Sequence, residues 1–204
     1  LKKYDAAIPN FQKLLGEQKL DAKIQRGRLT LLHAQCLLYA GKKDEAQARL
    51  VAAASNLTPG VHRTGAIAAV SDLFFAQGDW EKTVVWARKL QAVKAEPSQL
   101  IRAGYQEGFA LYKLAKFPEA IAVLDKTKSR AAEAKSEAWV TRLTYLLSEC
   151  HVSSKSLDKA EASLQAALAG LRGTSANDAR YRLATIKFAR KKWIESQADF
   201  EVFL

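Results

Sequence analysis

Tyr105, Tyr145 and Tyr181 recur along the chain, and Arg102 and Arg142 each stand three places before one of them. A phenol ring beside a guanidinium combines a large apolar contact area with directed hydrogen bonds, which suits a protein or peptide partner carrying carboxylates. Phe109 and Tyr112 lie four and seven places beyond Tyr105, on the same stripe if the segment is helical. Arg102, Tyr105, Phe109, Tyr112, Arg142, Tyr145 and Tyr181 are therefore the candidate partner-binding residues. Aromatic rings at helical spacing also serve as core, and the same rings could stack the bases of a single strand, so nucleic acid is the alternative ligand.

Residue types that carry catalysis are present but not arranged for it. His33, His62 and His151 are scattered, with no His or Cys beside any of them at metal-ligand spacing. There is no glycine-rich phosphate loop and no nucleophile elbow. Cys36 and Cys150 sit at equivalent positions of the pattern described below, where an apolar neighbourhood makes a thiol a small hydrophobe. Spaced three units apart in a stack of helices, they are too distant to bridge. The expectation is a protein that is not an enzyme and takes no metal or cofactor.

Composition bounds what can position these residues. Of 204 residues 49% are hydrophobic, and only 10 Gly and 4 Pro interrupt a chain rich in Ala, Leu, Lys, Glu, Gln and Arg. That is the composition of long helices around a continuous core. No apolar run approaches the ~18 residues of a membrane span, and no signal peptide is legible. The formal charge of +11, from 32 Lys and Arg against 21 Asp and Glu, favours acidic partners without choosing among them.

The organising signal is a repeat. YDAAIPNF, KDEAQARL, WEKTVVWA, FPEAIAVL, LDKAEASL and WIESQADF align on a small fourth residue: Ala7, Ala46, Thr83, Ala120, Ala160 and Ser196. Twelve places before the last five of these stand Ala34, Ser71, Gly108, Ser148 and Ala184. Two antiparallel helices approach closely only where neither carries a bulky side chain at the crossing, so each pair marks a helical hairpin. Gly41 and Gly78, five places before their anchors, mark where a first helix stops, and Asp79 and Ser156 are placed to cap the helices that follow.

The pattern resembles the tetratricopeptide repeat family. The aromatic after the turn is kept as Tyr4, Trp80, Phe117 and Trp193, and the later apolar position as Phe11, Leu50, Leu124, Leu164 and Phe200. The resemblance implies an all-α, right-handed α-solenoid of stacked antiparallel helix pairs, about five and a half repeats in a single domain over residues 1–204. A half repeat covers 1–20, and repeats cover about 21–58, 59–96, 97–134, 135–173 and 174–204. First helices are predicted at 22–40, 61–77, 98–115, 136–153 and 176–190. Second helices are predicted at 3–16, 43–56, 80–94, 118–133, 157–171 and 193–204.

It also implies a non-catalytic protein-interaction scaffold whose first helices line a concave groove for a peptide or protein. The Lys and Asn clamp that some members use for acidic chaperone tails is missing, since Tyr105, Tyr145 and Tyr181 fill the Lys positions. The closing WIESQADFEVFL looks like repeats of bacterial envelope-associated proteins, which favours a periplasmic or membrane-associated site of action over a cytoplasmic one. The chain reads as an excerpt of a longer bacterial array. Apolar Trp193, Phe200, Phe203 and Leu204 at its end suggest end-to-end self-association.

Overall fold

A computed structural model describes residues 2–16 and 23–203. Among them are eleven helices: α1 (Lys2–Gly16), α2 (Lys23–Tyr39), α3 (Lys43–Asn56), α4 (Val61–Gln77), α5 (Trp80–Gln91), α6 (Pro97–Lys113), α7 (Phe117–Glu133), α8 (Glu137–Ser153), α9 (Leu157–Leu168), α10 (Gly173–Ala189) and α11 (Trp193–Phe203). The described residues contain no strand. Each helix falls where the repeat places it. The largest departures are α5 and α9, which stop early at Gln91 and Leu168, and α10, which starts early at Gly173.

The helices form two compact units, Leu1–Gln99 and Leu100–Leu204. In the first, α1, α2, α3, α4 and α5 pack successively, and α2 also meets α4. In the second, α7 to α11 pack successively, and α6 packs on α7 through Gly104 and Gly108. The small residues that define the repeat are the crossings. Ala34, Ala46, Ser71, Thr83, Ala120, Ser148, Ala160 and Ala184 are all fully buried, and Ser196 is 1% exposed. In the last hairpin the two small residues touch directly, the Ser196 hydroxyl donating to the Ala184 carbonyl at 2.8 Å. Around the crossings Leu37 and Leu50 fill the first unit, and Leu124, Leu143, Leu147 and Leu164 the second. Each such side chain contributes about 1.5–3 kcal/mol by leaving water.

Every hairpin turn closes the same way. The residue five places before each anchor is left-handed: Gly41 (φ 82°), Gly78 (φ 74°), Ala115 (φ 57°), Lys155 (φ 60°) and Lys191 (φ 61°). The amides around it return to the helix just ended, as in Lys116 N–H to the Leu111 carbonyl at 2.9 Å and Ser156 N–H to the His151 carbonyl at 2.8 Å. Helix carbonyls that would be orphaned are thereby satisfied. A ring pair then clips several of these turns: Phe75 with Trp80 at 5.9 Å, Tyr112 with Phe117 at 5.9 Å and Phe188 with Trp193 at 4.7 Å between centroids.

A side chain at such a φ costs about 1–2 kcal/mol, while glycine gives up some of that gain in backbone entropy. Ala115→Gly, Lys155→Gly and Lys191→Gly should therefore each stabilise the protein by roughly 0.5–1 kcal/mol, read from urea midpoints. Destabilisation by all three would show that the turns are not strained.

One expected cap forms and the other does not. Asp79 accepts the Lys82 N–H at 3.1 Å and pairs with the Lys82 ammonium at 2.7 Å, which holds its carboxyl below the usual value. Ser156 makes no side-chain cap. Its hydroxyl instead accepts from Ser154 at 3.4 Å.

Candidate partner-binding groove

Within the second unit, α6, α8 and α10 border a groove of about 890 Å³. Helical periodicity brings its residues to one face: Tyr105, Phe109 and Tyr112 on α6, Arg142, Tyr145 and Glu149 on α8, and Asp178 and Arg182 on α10. Leu146, Gly170 and Leu171 also line it. Five of the seven residues expected from the sequence thus come together here. Arg102 and Tyr181 are not among the groove's lining residues. The Tyr181 ring is half exposed and meets Phe200 of α11 edge-on at 5.7 Å.

The two ends of the groove differ in charge. At one end the Arg142 guanidinium lies over the rings of Trp139 at 5.1 Å and Tyr105 at 5.9 Å, and Tyr105 and Trp139 are themselves 5.5 Å apart. The Lys113 ammonium lies over Phe109 at 5.2 Å and Tyr112 at 5.9 Å. Neither cation has a carboxylate within ion-pairing distance among the described residues. Cation–π support orients these charges without neutralising them.

At the other end charges are paired. Arg182 donates to both Glu149 oxygens, at 2.7 and 2.8 Å, and through Nε to Asp178 at 2.9 Å. The Tyr145 hydroxyl donates to the same Asp178 oxygen. Burial, and then the bond to Asp178, keep this phenol protonated far above its ordinary value. Asp178 is pulled below the usual carboxylate value, first by the Tyr145 hydrogen bond, which with Arg182 outweighs its partial burial. Two carboxylates against one guanidinium leave this end net negative.

Lys113, Trp139 and Arg182 escaped the sequence reading because the small anchors mark only equivalent positions, and these residues lie one or three places to the side of Tyr112, Arg142 and Tyr181. The Asp178–Arg182 spacing of one helical turn was the available signal. Behind the groove Cys150 is buried, and its thiol is pushed up to about 12 by burial and then by the Glu149 charge. No three His, Cys, Asp or Glu among the described residues gather where a metal could sit.

No family model and no curated protein sequence matches the chain. Solved structures do. The apo form of RapI superposes on 98% of this chain with a TM-score of 0.81 at 12% identity, and this chain spans 58% of RapI. TPR-like repeats of a kinesin light chain from Podosopora anserina match 90% of this chain and 95% of their own length, with a TM-score of 0.64 at 16% identity. The fold is a tetratricopeptide-type helical repeat. Bacillus thuringiensis PlcR, solved with the peptide PapR7 and DNA, matches all of this chain and 69% of its own length, with a TM-score of 0.54 at 13% identity. In the tetratricopeptide frame the groove lies on the first helices of three successive repeats. None of the described helices is long and apolar enough to cross a membrane.

Proposed function

We propose that the second unit is a non-catalytic interaction module that holds an acidic peptide segment of a protein partner in the groove between α6, α8 and α10. The observation that carries this is the pair Lys113 and Arg142. Both are supported on aromatic faces and lack a carboxylate among the described residues, in a groove that Tyr105, Phe109, Tyr112 and Tyr145 also line. The partner's Asp or Glu side chains complete these charges, while Tyr105, Phe109 and Tyr112 supply contact area at small entropic cost. The net-negative end at Glu149 and Asp178 sets the peptide's direction by favouring its basic or amino-terminal part. A place in a bacterial envelope-associated assembly is supported by the resemblance of the closing segment WIESQADFEVFL. PlcR, solved with a peptide, shares the fold, which makes a peptide ligand compatible with it.

Nucleic acid is the second reading, favoured by the +11 charge and the ring–guanidinium stacks. Glu149 and Asp178 in the same groove oppose it, because phosphates would be repelled there. A labelled oligothymidine should bind weakly and lose affinity steeply between low and physiological salt. Tight binding that persists at physiological salt and vanishes in Arg142→Ala would replace the peptide reading.

The direct test pans a displayed random-peptide library against the wild-type protein. Selected peptides should be rich in Asp or Glu beside apolar residues, and should bind Arg142→Ala at least about tenfold more weakly. Peptides without acidic residues, or ones indifferent to both Arg142→Ala and Lys113→Ala, would sink the reading.

A further inference from the structure

In the first unit the repeat pattern is broken at His33. Thirteen places before the second-helix anchors stand His33, Val70, Glu107, Leu147 and Leu183. Val70, Leu147 and Leu183 are core residues, 0%, 1% and 4% exposed. His33 occupies the same kind of position and is 1% exposed. Its ring stacks on Phe11 at 5.9 Å, and neither Nδ1 nor Nε2 has a hydrogen-bond partner among the described residues. Two unsatisfied ring nitrogens make it a poorer core residue than leucine, because buried polar atoms without partners forfeit their hydration.

The ring borders a cavity of about 630 Å³. One stripe of α2, Arg26, Thr30 and His33, and one stripe of α3, Glu45, Arg49 and Asn56, face it. Apolar Leu37, Ala48, Ala52, Ala53 and Leu57 complete the lining, with Gln12 contributed by α1. The Arg49 guanidinium forms no hydrogen bond or ion pair among the described residues, although Glu45 stands one turn before it on the same face. Burial, and then the charge of Arg49, lower the His33 pKa. The ring is therefore neutral at pH 7, with one N–H to donate and one lone pair to accept.

We propose that this cavity binds a small organic carboxylate with an apolar tail. Its carboxylate pairs with Arg49 and accepts the His33 N–H, and its tail lies against Leu37, Ala52, Ala53 and Leu57. The site is independent of the groove of the second unit.

The probe is hexanoate, with hexanol, hexylamine and inorganic phosphate as comparisons. Binding is followed by NMR of the His33 ring carbons and protons, assigned by their loss in His33→Leu. Hexanoate should shift the His33 resonances saturably in the roughly millimolar range that a ligand of this size allows. Arg49→Gln should weaken it at least about tenfold while the fold is retained, since Arg49 has no hydrogen-bond or ion-pair partner to lose among the described residues. His33→Leu should raise the melting temperature. Equal shifts from hexanol or hexylamine, phosphate binding without hexanoate binding, or no saturable shift with hexanoate would overturn the proposal. So would unchanged affinity in Arg49→Gln, even if His33→Leu failed to fold.

Discussion

Gly108→Leu should destabilise the second unit by roughly 3 kcal/mol or more, the range in which forced overpacking disrupts a core. A Cβ on Gly108 would lie 2.4 Å from Leu124 Cδ2 and 2.5 Å from its Cγ, and Leu124 is fully buried with nowhere to retreat. One turn earlier a Cβ on Gly104 would meet Thr127 Oγ1 at 2.1 Å and Cβ at 3.0 Å. Thr127 is itself pinned by donating to the Val123 carbonyl at 2.7 Å. Helix α6 thus accepts two helix-weakening glycines because α7 occupies the space their side chains would need. The check is the urea midpoint of Gly108→Leu against wild type. Leu124→Ala in the same chain should return part of the loss by vacating the clash, despite being destabilising alone. Gly108→Leu within a few tenths of a kcal/mol of wild type would mean that α6 and α7 do not cross there.

Glu161→Gln should cost about 2 kcal/mol at neutral pH and progressively less as the solution is acidified. Glu161 is 5% exposed and accepts from Lys192 at 2.9 Å and from Arg190, which also reaches Asp158. Removing one member of a buried charge cluster leaves the others uncompensated. The cost falls below that of a fully buried pair because the Arg190 and Lys192 side chains are 25% and 33% exposed. Burial alone would raise the Glu161 carboxyl, but its hydrogen bonds to Lys192 and Arg190 outweigh burial and bring it below the ordinary value. A folded-state value below the unfolded one contributes stability that is complete above the unfolded carboxyl range, about 4.3, and is lost as pH falls through the lower folded value. The difference in unfolding free energy between wild type and Glu161→Gln, followed downward from pH 7, should shrink as Glu161 takes up its proton. A difference independent of pH would show that the cluster contributes by packing rather than charge.

The crossings of the fold were legible because they impose one residue size at one spacing, and Ala34, Ser71, Gly108, Ser148 and Ala184 each obey it. The turns were only half legible. Gly41 and Gly78 advertise a left-handed backbone, whereas Ala115, Lys155 and Lys191 adopt it against their own preference because the helices on either side already fix the chain path. The groove was legible where periodicity decides, at Tyr105, Phe109, Tyr112, Arg142 and Tyr145. It was obscure where partner choice decides. Tyr181 shares the repeat position of Tyr105 and Tyr145, yet its ring meets Phe200, and neighbouring Arg182 enters the groove to join Glu149 and Asp178. His33 is the opposite case, a buried polar residue at a position that Val70, Leu147 and Leu183 fill with hydrophobes and only Glu107 otherwise departs from. The side chains of Phe203 and Leu204, on which the expectation of end-to-end association partly rests, lie outside the described residues, while Trp193 and Ile194 at the start of α11 are 52% and 86% exposed.

The packing of Arg142 over Trp139 gives the groove a built-in optical reporter. Of the four tryptophans, Trp139 is the one whose ring carries the groove-lining Arg142, at 5.1 Å. In a chain carrying Phe at the other three positions, indole emission would register displacement or burial of that guanidinium directly, so occupancy of the groove could be titrated without attaching a dye to either molecule.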